Sequence, residues 1–199
     1  MLPSPMPALS SSQLAHHWLA AARRPDIASQ LQTIFTECAD AIADRGPTCW
    51  ASGRCCNFEQ AGHLLYVTGL EAAFTLANFD WTPFSPASLP APFPAFNTTP
   101  LTISASAPPP GQHPLTPALI LASFDTACPF QASNLCGVHT IKPLGCRIYF
   151  CDKSAQDWQQ ALHEKLLANL RQLHDHQFIE YRYGEWRTML KQILTAMSE

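Results

Sequence analysis

Residues 63–79, HLLYVTGLEAAFTLANF, change from a short apolar run into a helical pattern at their centre. The first five residues, His63 to Val67, form a run that is short enough and apolar enough for a β-strand. Thr68 followed three residues later by Glu71 is the pattern of a capping box, which opens a helix. The sequence therefore predicts a strand that leads directly into a helix ending near Phe79.

Amphipathic patterns predict helices before this unit as well, within residues 10–45. Asp26 to Ala43 places apolar residues at helical spacing, and Asp26 is a candidate N-cap. Free cysteine is among the most buried residue types, so we expect Cys38 to be a core residue. The predicted apolar face consists of Ile27, Leu31, Ile34, Phe35, Cys38 and Ile42.

Two helices are predicted in residues 154–198. Ser154 and Asp157 resemble a second capping box, and the helix that follows runs to about His176. Its apolar face is Trp158, Leu162, Leu166, Leu170 and Leu173. We expect His174 and His176 to be solvated, because residues two apart do not share a helical face. FIEYRY (178–183) is either a short strand or an extended link, and the last amphipathic helix carries Trp186, Met189, Leu190, Ile193, Leu194 and Met197.

A proline-rich stretch, residues 81–118, lies between these regions. Its prolines stand among Ser, Thr and Ala with little periodicity, which is typical of a long irregular insertion, either a lid or a tolerated loop. The run PALILASF (117–124) then predicts a second strand, which leads the chain to Cys128.

Seven of the eight cysteines fall into two groups: Cys49, Cys55 and Cys56, and then Cys128, Cys136, Cys146 and Cys151. Thiolates are the soft ligands that select zinc, copper(I) or iron–sulfur clusters, and they bind only when deprotonated. Cationic side chains that favour the thiolate form are interleaved with them, at Arg54, Lys142, Arg147 and Lys153. Because one zinc ion or one four-iron cluster needs four ligands, the chain holds either two sites or spare thiols.

The adjacency of Cys55 and Cys56 restricts the geometry of the first group. Neighbouring side chains diverge in extended chain and point about 100° apart on a helix. Either one thiol ligates while the other packs or serves a second metal, or an irregular turn brings both to one site. His139, three residues after Cys136, is either a nitrogen ligand of zinc or a structural histidine. The role of His63 stays open.

The first cysteine group resembles that of the YkgJ-type, or CxxCxxCC, family of zinc- or iron-chelating cysteine-cluster proteins. It fits C-x-x-C-x-x-C-C at Cys49, Cys55 and Cys56, with Ser52 in place of the second cysteine. The substitution removes one candidate ligand.

The second group resembles the C-P-F…C…P-x-x-C-R pattern of the same family, from Cys128 to Arg147, with Lys142 where arginine is usual before the proline. The strand and capping box after the first group also resemble the family, so the likeness covers roughly Cys49 to Cys151 outside the insertion. It implies metal binding by the cysteines, and some members are called iron–sulfur oxidoreductases. The chain has no G-x-G-x-x-G or P-loop, so methyl transfer, the activity of one relative of the family, is not expected.

Charge and composition favour a single cytoplasmic domain, residues 1–199. The net charge is -3, and neither sign forms a long run, so no nucleic-acid partner is predicted. No segment has the pattern of a secretory signal or of a membrane span, so no membrane partner is predicted either. In a reducing compartment, clustered cysteines are more often metal ligands or redox groups than disulfides. A secreted disulfide protein, which the even cysteine count permits, is disfavoured by the vicinal pair.

These observations predict an α+β domain, mainly helical with a few short strands, organised around a cysteine-ligated metal centre. The expected ligand is zinc or iron, including a four-iron four-sulfur cluster, held by cysteines of residues 49–56 and 128–151. The alternative is an iron–sulfur or thiol-based oxidoreductase of unknown substrate. The sequence names no protein partner.

Overall fold

The computed structural model describes residues 9–47, 53–81, 117–122, 127–132 and 135–199. In these residues helices dominate and the strands are two or three residues long, so the predicted mainly helical α+β class is confirmed. The helices are α1 (Ser11–Ala22), α2 (Pro25–Arg45), α3 (Phe58–Ala61), α4 (Gly69–Ala77), α5 (Pro117–Ala122), α6 (Leu144–Ile148), α7 (Gln156–His176) and α8 (Trp186–Met197). The strands are β1 (Tyr66–Thr68), β2 (Gln131–Ala132), β3 (Leu135–Cys136) and β4 (Tyr183–Glu185).

Two groups of helices form the core of the described residues. Helices α1, α4 and α8 pack against one another and bury Trp18 and Trp186 completely. Helices α2, α6 and α7 form the second group, and α1 contacts α2. Strand β1 pairs antiparallel with β4, with Val67 opposite Gly184, and contacts α4, α6 and α8. The β1–β4 pair therefore bridges the two groups beside α6, the helix that carries Cys146.

The predicted strand and helix of residues 63–79 are confirmed, with shorter bounds. The strand is Tyr66–Thr68 and the helix is Gly69–Ala77. The backbone N–H of Glu71 donates to Thr68 Oγ1 at 3.2 Å, and the backbone N–H of Thr68 donates to Glu71 Oε2 at 2.8 Å. Because both bonds are local, four residues of sequence suffice to predict them.

Helix α2 covers the predicted range, but its predicted cap is wrong. The N-cap is Arg24, which makes no capping bond with its side chain, and the Asp26 carboxylate accepts instead from the Arg24 guanidinium at 2.6 Å. Pro25 takes the first helical position, where the missing N–H of proline would have had no partner anyway. Cys38 is fully buried, as expected.

The run PALILASF was predicted as a strand, and this is wrong where the structure describes it. Pro117–Ala122 is helix α5, which buries Ile120 and packs against α8. A short apolar run fits a buried helix as well as a buried strand, and its periodicity does not distinguish them.

Helix α7 ends at His176 as predicted, but it begins differently. Asp152 Oδ1 accepts from the backbone N–H of Ser154 at 2.9 Å, and a 3₁₀ turn at Lys153–Ala155 precedes the helix. The predicted capping box of Ser154 and Asp157 is therefore wrong. The final helix, predicted from Trp186 to Met197, is confirmed as α8. Of FIEYRY (178–183), only the last residue, Tyr183, belongs to a strand, where it begins β4.

The prediction that His174 and His176 are both solvated is half wrong. His176 is exposed, whereas His174 is fully buried. His174 continues the apolar face one helical turn after Leu170. Its Nδ1 lies 3.1 Å from the carbonyl oxygen of Ile179, so Nδ1–H donates a hydrogen bond to that carbonyl.

The predicted proline-rich insertion falls almost wholly on residues 82–116, outside the described residues. None of the helices in the described part of the chain combines the length and the apolarity that crossing a bilayer requires.

Candidate functional site

The first described cysteines lie on a tight turn. Gly53 adopts a left-handed φ of 70°, and its carbonyl accepts from the backbone N–H of Cys56 at 3.0 Å. The next carbonyl, that of Arg54, accepts from the N–H of Asn57 at 3.1 Å. This turn leaves Cys55 exposed and buries Cys56, with their sulfurs 3.9 Å apart. An irregular turn thus places both thiols of the vicinal pair at one location.

Backbone and side-chain bonds hold the second cysteine group against this turn. The N–H of Cys128 donates to the carbonyl of Cys56 at 2.7 Å, and the Gln131 amide donates to the carbonyl of Gly53 at 2.9 Å. The buried ring of Phe130 packs 6.0 Å from that of Trp186, measured between centroids. The segment beginning at Cys128 is therefore anchored both to the turn and to the core.

Thiols from the two groups meet at Cys56. Its side chain is in hydrogen-bonding contact with Cys128, Cys136 and Cys55, and these contacts, led by the one with Cys128, raise the pKa of Cys56. The hydrogen bond with Cys56 in turn lowers the pKa of Cys55 to about 6 and that of Cys136 to about 7. In the metal-free protein the Cys56 S–H is the hydrogen-bond donor that favours the thiolate form of its neighbours.

Cys146 and Cys151 are the other two cysteines of the second group that the structure describes. Burial, followed by the charges of Cys128 and Cys136, raises the pKa of Cys146 well above its ordinary value. Cys151 is half-buried and acts electrostatically on Tyr149. Cys49, the remaining predicted ligand, lies outside the described residues.

Two cations compensate the negative charge of the thiolates. Lys142 lowers the pKa of Cys55 and of Cys136, although in both it acts less than the hydrogen bond from Cys56. The Arg147 guanidinium lies 4.1 Å from the ring centre of Phe35 and donates to the carbonyls of Lys142 at 2.8 Å and Thr140 at 2.7 Å. Arg147 thereby fixes the loop that leads into α6.

Glu71 links the capping box to the second cysteine group, and the sequence analysis missed this role. Its Oε2 accepts the capping hydrogen bond from the backbone N–H of Thr68 at the start of α4. Its Oε1 accepts at 2.8 Å from the backbone N–H of Leu144, which is the first residue of α6. The carboxyl group is almost fully buried, and burial raises its pKa. The only sequence signal was an acidic residue in an apolar stretch, which a capping box explained completely.

His63 and His139, the two histidines with open roles, differ in their surroundings. His63 is half-buried, stacks on Tyr149 at 4.7 Å between ring centres, and has its Nδ1 buried without a hydrogen-bond partner among the described residues. His139 is exposed. These surroundings do not identify either histidine as a metal ligand.

The donor chemistry fits a thiolate site, but the described residues alone do not complete one. Thiolates about 2.3 Å from a tetrahedral zinc ion lie about 3.8 Å apart, close to the separation of the Cys55 and Cys56 sulfurs. Within residues 9–47, 53–81, 117–122, 127–132 and 135–199, however, no three His, Cys, Asp or Glu side chains are arranged to hold a metal ion.

The chain was compared with protein-family models, with curated proteins and with solved structures, and none of the three comparisons gave a match. The likeness to the cysteine-cluster family therefore remains a prediction from the sequence motifs.

Proposed function

We propose that the protein binds zinc or an iron–sulfur cluster through cysteines of residues 49–56 and 128–151. The observation that carries the proposal is the contact of the Cys56 thiol with Cys55, Cys128 and Cys136, which joins two groups distant in sequence. Soft thiolates from two chain segments are the usual ligands of both kinds of centre.

The electrostatics of the site support ligation at neutral pH. Metal binding requires deprotonated thiols, and the pKa values of Cys55 and Cys136 are lowered to about 6 and about 7. Arg147 and Lys142 would offset part of the negative charge that several thiolates bring to one centre. Cys146 and Cys151 are the further candidate ligands in the described residues.

A thiol-based oxidoreductase is the second candidate function. The specific observation in its favour is that Cys55 is exposed while its neighbour Cys56 is buried, since redox-active cysteines are often accessible to solvent and lie next to a second, resolving cysteine. No substrate is implied by this arrangement.

The test is a measurement of metal and acid-labile sulfide, with a visible spectrum, on protein purified without oxygen. Iron with sulfide and a reducible brown absorption would assign a cluster and favour the redox candidate. Stoichiometric zinc without colour would assign a structural or thiol-activating site.

A matched pair of variants makes this test specific. Cys56→Ala should lose most of the metal, whereas Cys38→Ala, which removes a fully buried thiol from α2, should retain it. Circular dichroism checks that both variants fold. Wild-type protein that takes up neither zinc nor iron, even after anaerobic reconstitution, would contradict the proposal.

A further inference from the structure

Three of the cysteines form an ordered path from solvent into the core. Cys55 is exposed, whereas Cys56 and Cys128 are 8% and 6% exposed. The sulfurs of Cys55 and Cys56 are 3.9 Å apart, and Cys56 is in turn in contact with Cys128. Each thiol is therefore next to the one that follows it.

The last pair on this path is suited to a disulfide, and the first pair is not. A backbone hydrogen bond of 2.7 Å joins Cys128 to Cys56 and their side chains are in contact, so the two sulfurs can be bridged with little movement of the chain. A bridge between the adjacent Cys55 and Cys56 would be strained, and strained disulfides are easily exchanged.

We propose that Cys55, Cys56 and Cys128 form a peroxide-sensitive relay, in which oxidation of Cys55 ends as a disulfide between Cys56 and Cys128. The relay rests on the proposed function in one respect: it makes the metal site redox-regulated, because the disulfide removes two thiols from it. The covalent chemistry itself does not depend on the metal.

The relay has three balanced steps. The Cys55 sulfur attacks the O–O bond of a hydroperoxide, so that an S–O bond forms, the O–O bond breaks, and the released oxygen leaves as an alcohol or water with the thiol proton. The Cys56 sulfur then attacks that of Cys55, the S–O bond breaks, and water leaves with the Cys56 proton. Finally Cys128 attacks Cys56, and its proton passes to the released Cys55. Two thiols are oxidised by two electrons, and the peroxide is reduced.

The structure also explains why oxidation begins at Cys55 and ends at Cys128. Cys56 and Cys128 are shielded from solvent, and the indole N–H of fully buried Trp186 covers the Cys128 sulfur at 3.5 Å. An oxidant in solution therefore meets Cys55 first. Cys136 also contacts Cys56, but Cys128 is the partner whose backbone is bonded to it.

The experiment treats the reduced, metal-free full chain with equimolar hydrogen peroxide, blocks remaining thiols, and maps disulfides by peptide mass spectrometry. The expected product is a Cys56–Cys128 disulfide that dithiothreitol reverses. Cys55→Ser should slow its formation several-fold, Cys128→Ser should trap Cys55 as a dimedone-reactive sulfenic acid or as the vicinal disulfide, and Cys38→Ala should change nothing. Circular dichroism of each variant excludes unfolding as the cause.

Zinc uptake by reduced and oxidised protein is measured in parallel. Loss of uptake on oxidation, restored by reduction, supports the regulatory role. The relay is overturned if reduced protein takes up zinc but forms no Cys56–Cys128 disulfide after peroxide. It is also overturned if Cys55→Ser forms that disulfide at an unchanged rate. Both results leave the proposed function intact. A reduced protein that binds no zinc overturns the regulatory role together with zinc binding, while the disulfide map still decides the chemistry.

Discussion

Gly69, the first residue of α4, has no room for a side chain. A Cβ atom at this position would lie 2.4 Å from Cδ2 and Cε2 and 2.5 Å from Cζ2 of Trp18. The indole ring cannot easily move away, because it is fully buried and its N–H donates to the carbonyl of Glu180 at 2.8 Å. Gly69→Ala must therefore displace the ring, the start of α4, or both.

The magnitude follows from two opposing effects. Overpacking a rigid core typically destabilises by about 1–3 kcal/mol, and contact with a ring that is also hydrogen-bonded belongs at the upper end. The better helix propensity of alanine recovers at most about 1 kcal/mol. We expect Gly69→Ala to lower the free energy of unfolding by about 2 kcal/mol, which in a chain of this size is about 4–8 °C in Tm.

Gly184→Ala is the matched control. A Cβ there would lie 2.5 Å from Cε of Met189, the end of a flexible side chain that can change rotamer. We expect this variant to change stability by less than about 1 kcal/mol, because alanine also suits a strand better than glycine. Urea denaturation followed by circular dichroism, in metal-free reducing buffer, gives both values. Equal losses in the two variants would refute the argument that the rigidity of Trp18 decides the cost.

Three other predictions test the interactions around the site and its supports. Glu71→Ala leaves the buried N–H groups of Thr68 and Leu144 without an acceptor, so urea denaturation should show a loss of about 3 kcal/mol, at about 1–3 kcal/mol for each orphaned group; a loss below 1 kcal/mol would contradict this role. Burial lowers the pKa of His174 below its ordinary value of 6.5, so the unfolded chain takes up a proton at a higher pH than the folded chain does. The free energy of unfolding should therefore fall as the pH drops below about 6.5. His174→Asn should reduce this pH dependence, to which the lowered pKa values of His63, His139 and His163 also contribute; a slope that His174→Asn does not alter would count against His174 as one of its sources. Arg147→Met should weaken zinc binding at the proposed site by about tenfold or more, measured by competition with a chromophoric chelator. Arg147→Lys keeps the charge but not the hydrogen bonds to two carbonyls, so its zinc affinity should lie between those of wild type and Arg147→Met. Wild-type affinity in Arg147→Met would exclude a supporting role.

Local patterns predicted much of this fold because the bonds that define those elements are local. The capping box of Thr68 and Glu71, the apolar face of α2 and that of α8 all depend on residues within a few positions of one another. Helix α5 was mistaken for a strand because six residues contain too little periodicity to separate the two. The burial of His174 was predictable in principle, since it follows Leu170 by four residues on the same face.

The arrangement of the cysteines was not predictable to the same extent. The sequence grouped the thiols and gave the vicinal pair a turn at one site as one of its alternatives; the structure has a turn at Gly53, and the shared metal site stays a prediction. It did not predict that Cys56 is the thiol that contacts the second group, or that Glu71 and Trp186 bind the segments carrying Cys146 and Cys128. These contacts join residues far apart in the chain, and their choice depends on how helices pack.

The pairing of β1 with β4 has a consequence for the time at which the fold can be completed. During synthesis β4 follows β1 by roughly a hundred residues, which at ~5–20 residues per second takes about 5–20 s. Trp186, which covers the Cys128 sulfur, comes directly after β4 and arrives with the same delay. On the ribosome, therefore, the first cysteine turn is made well before the parts that enclose it, and the nascent chain carries its thiols uncovered through that interval.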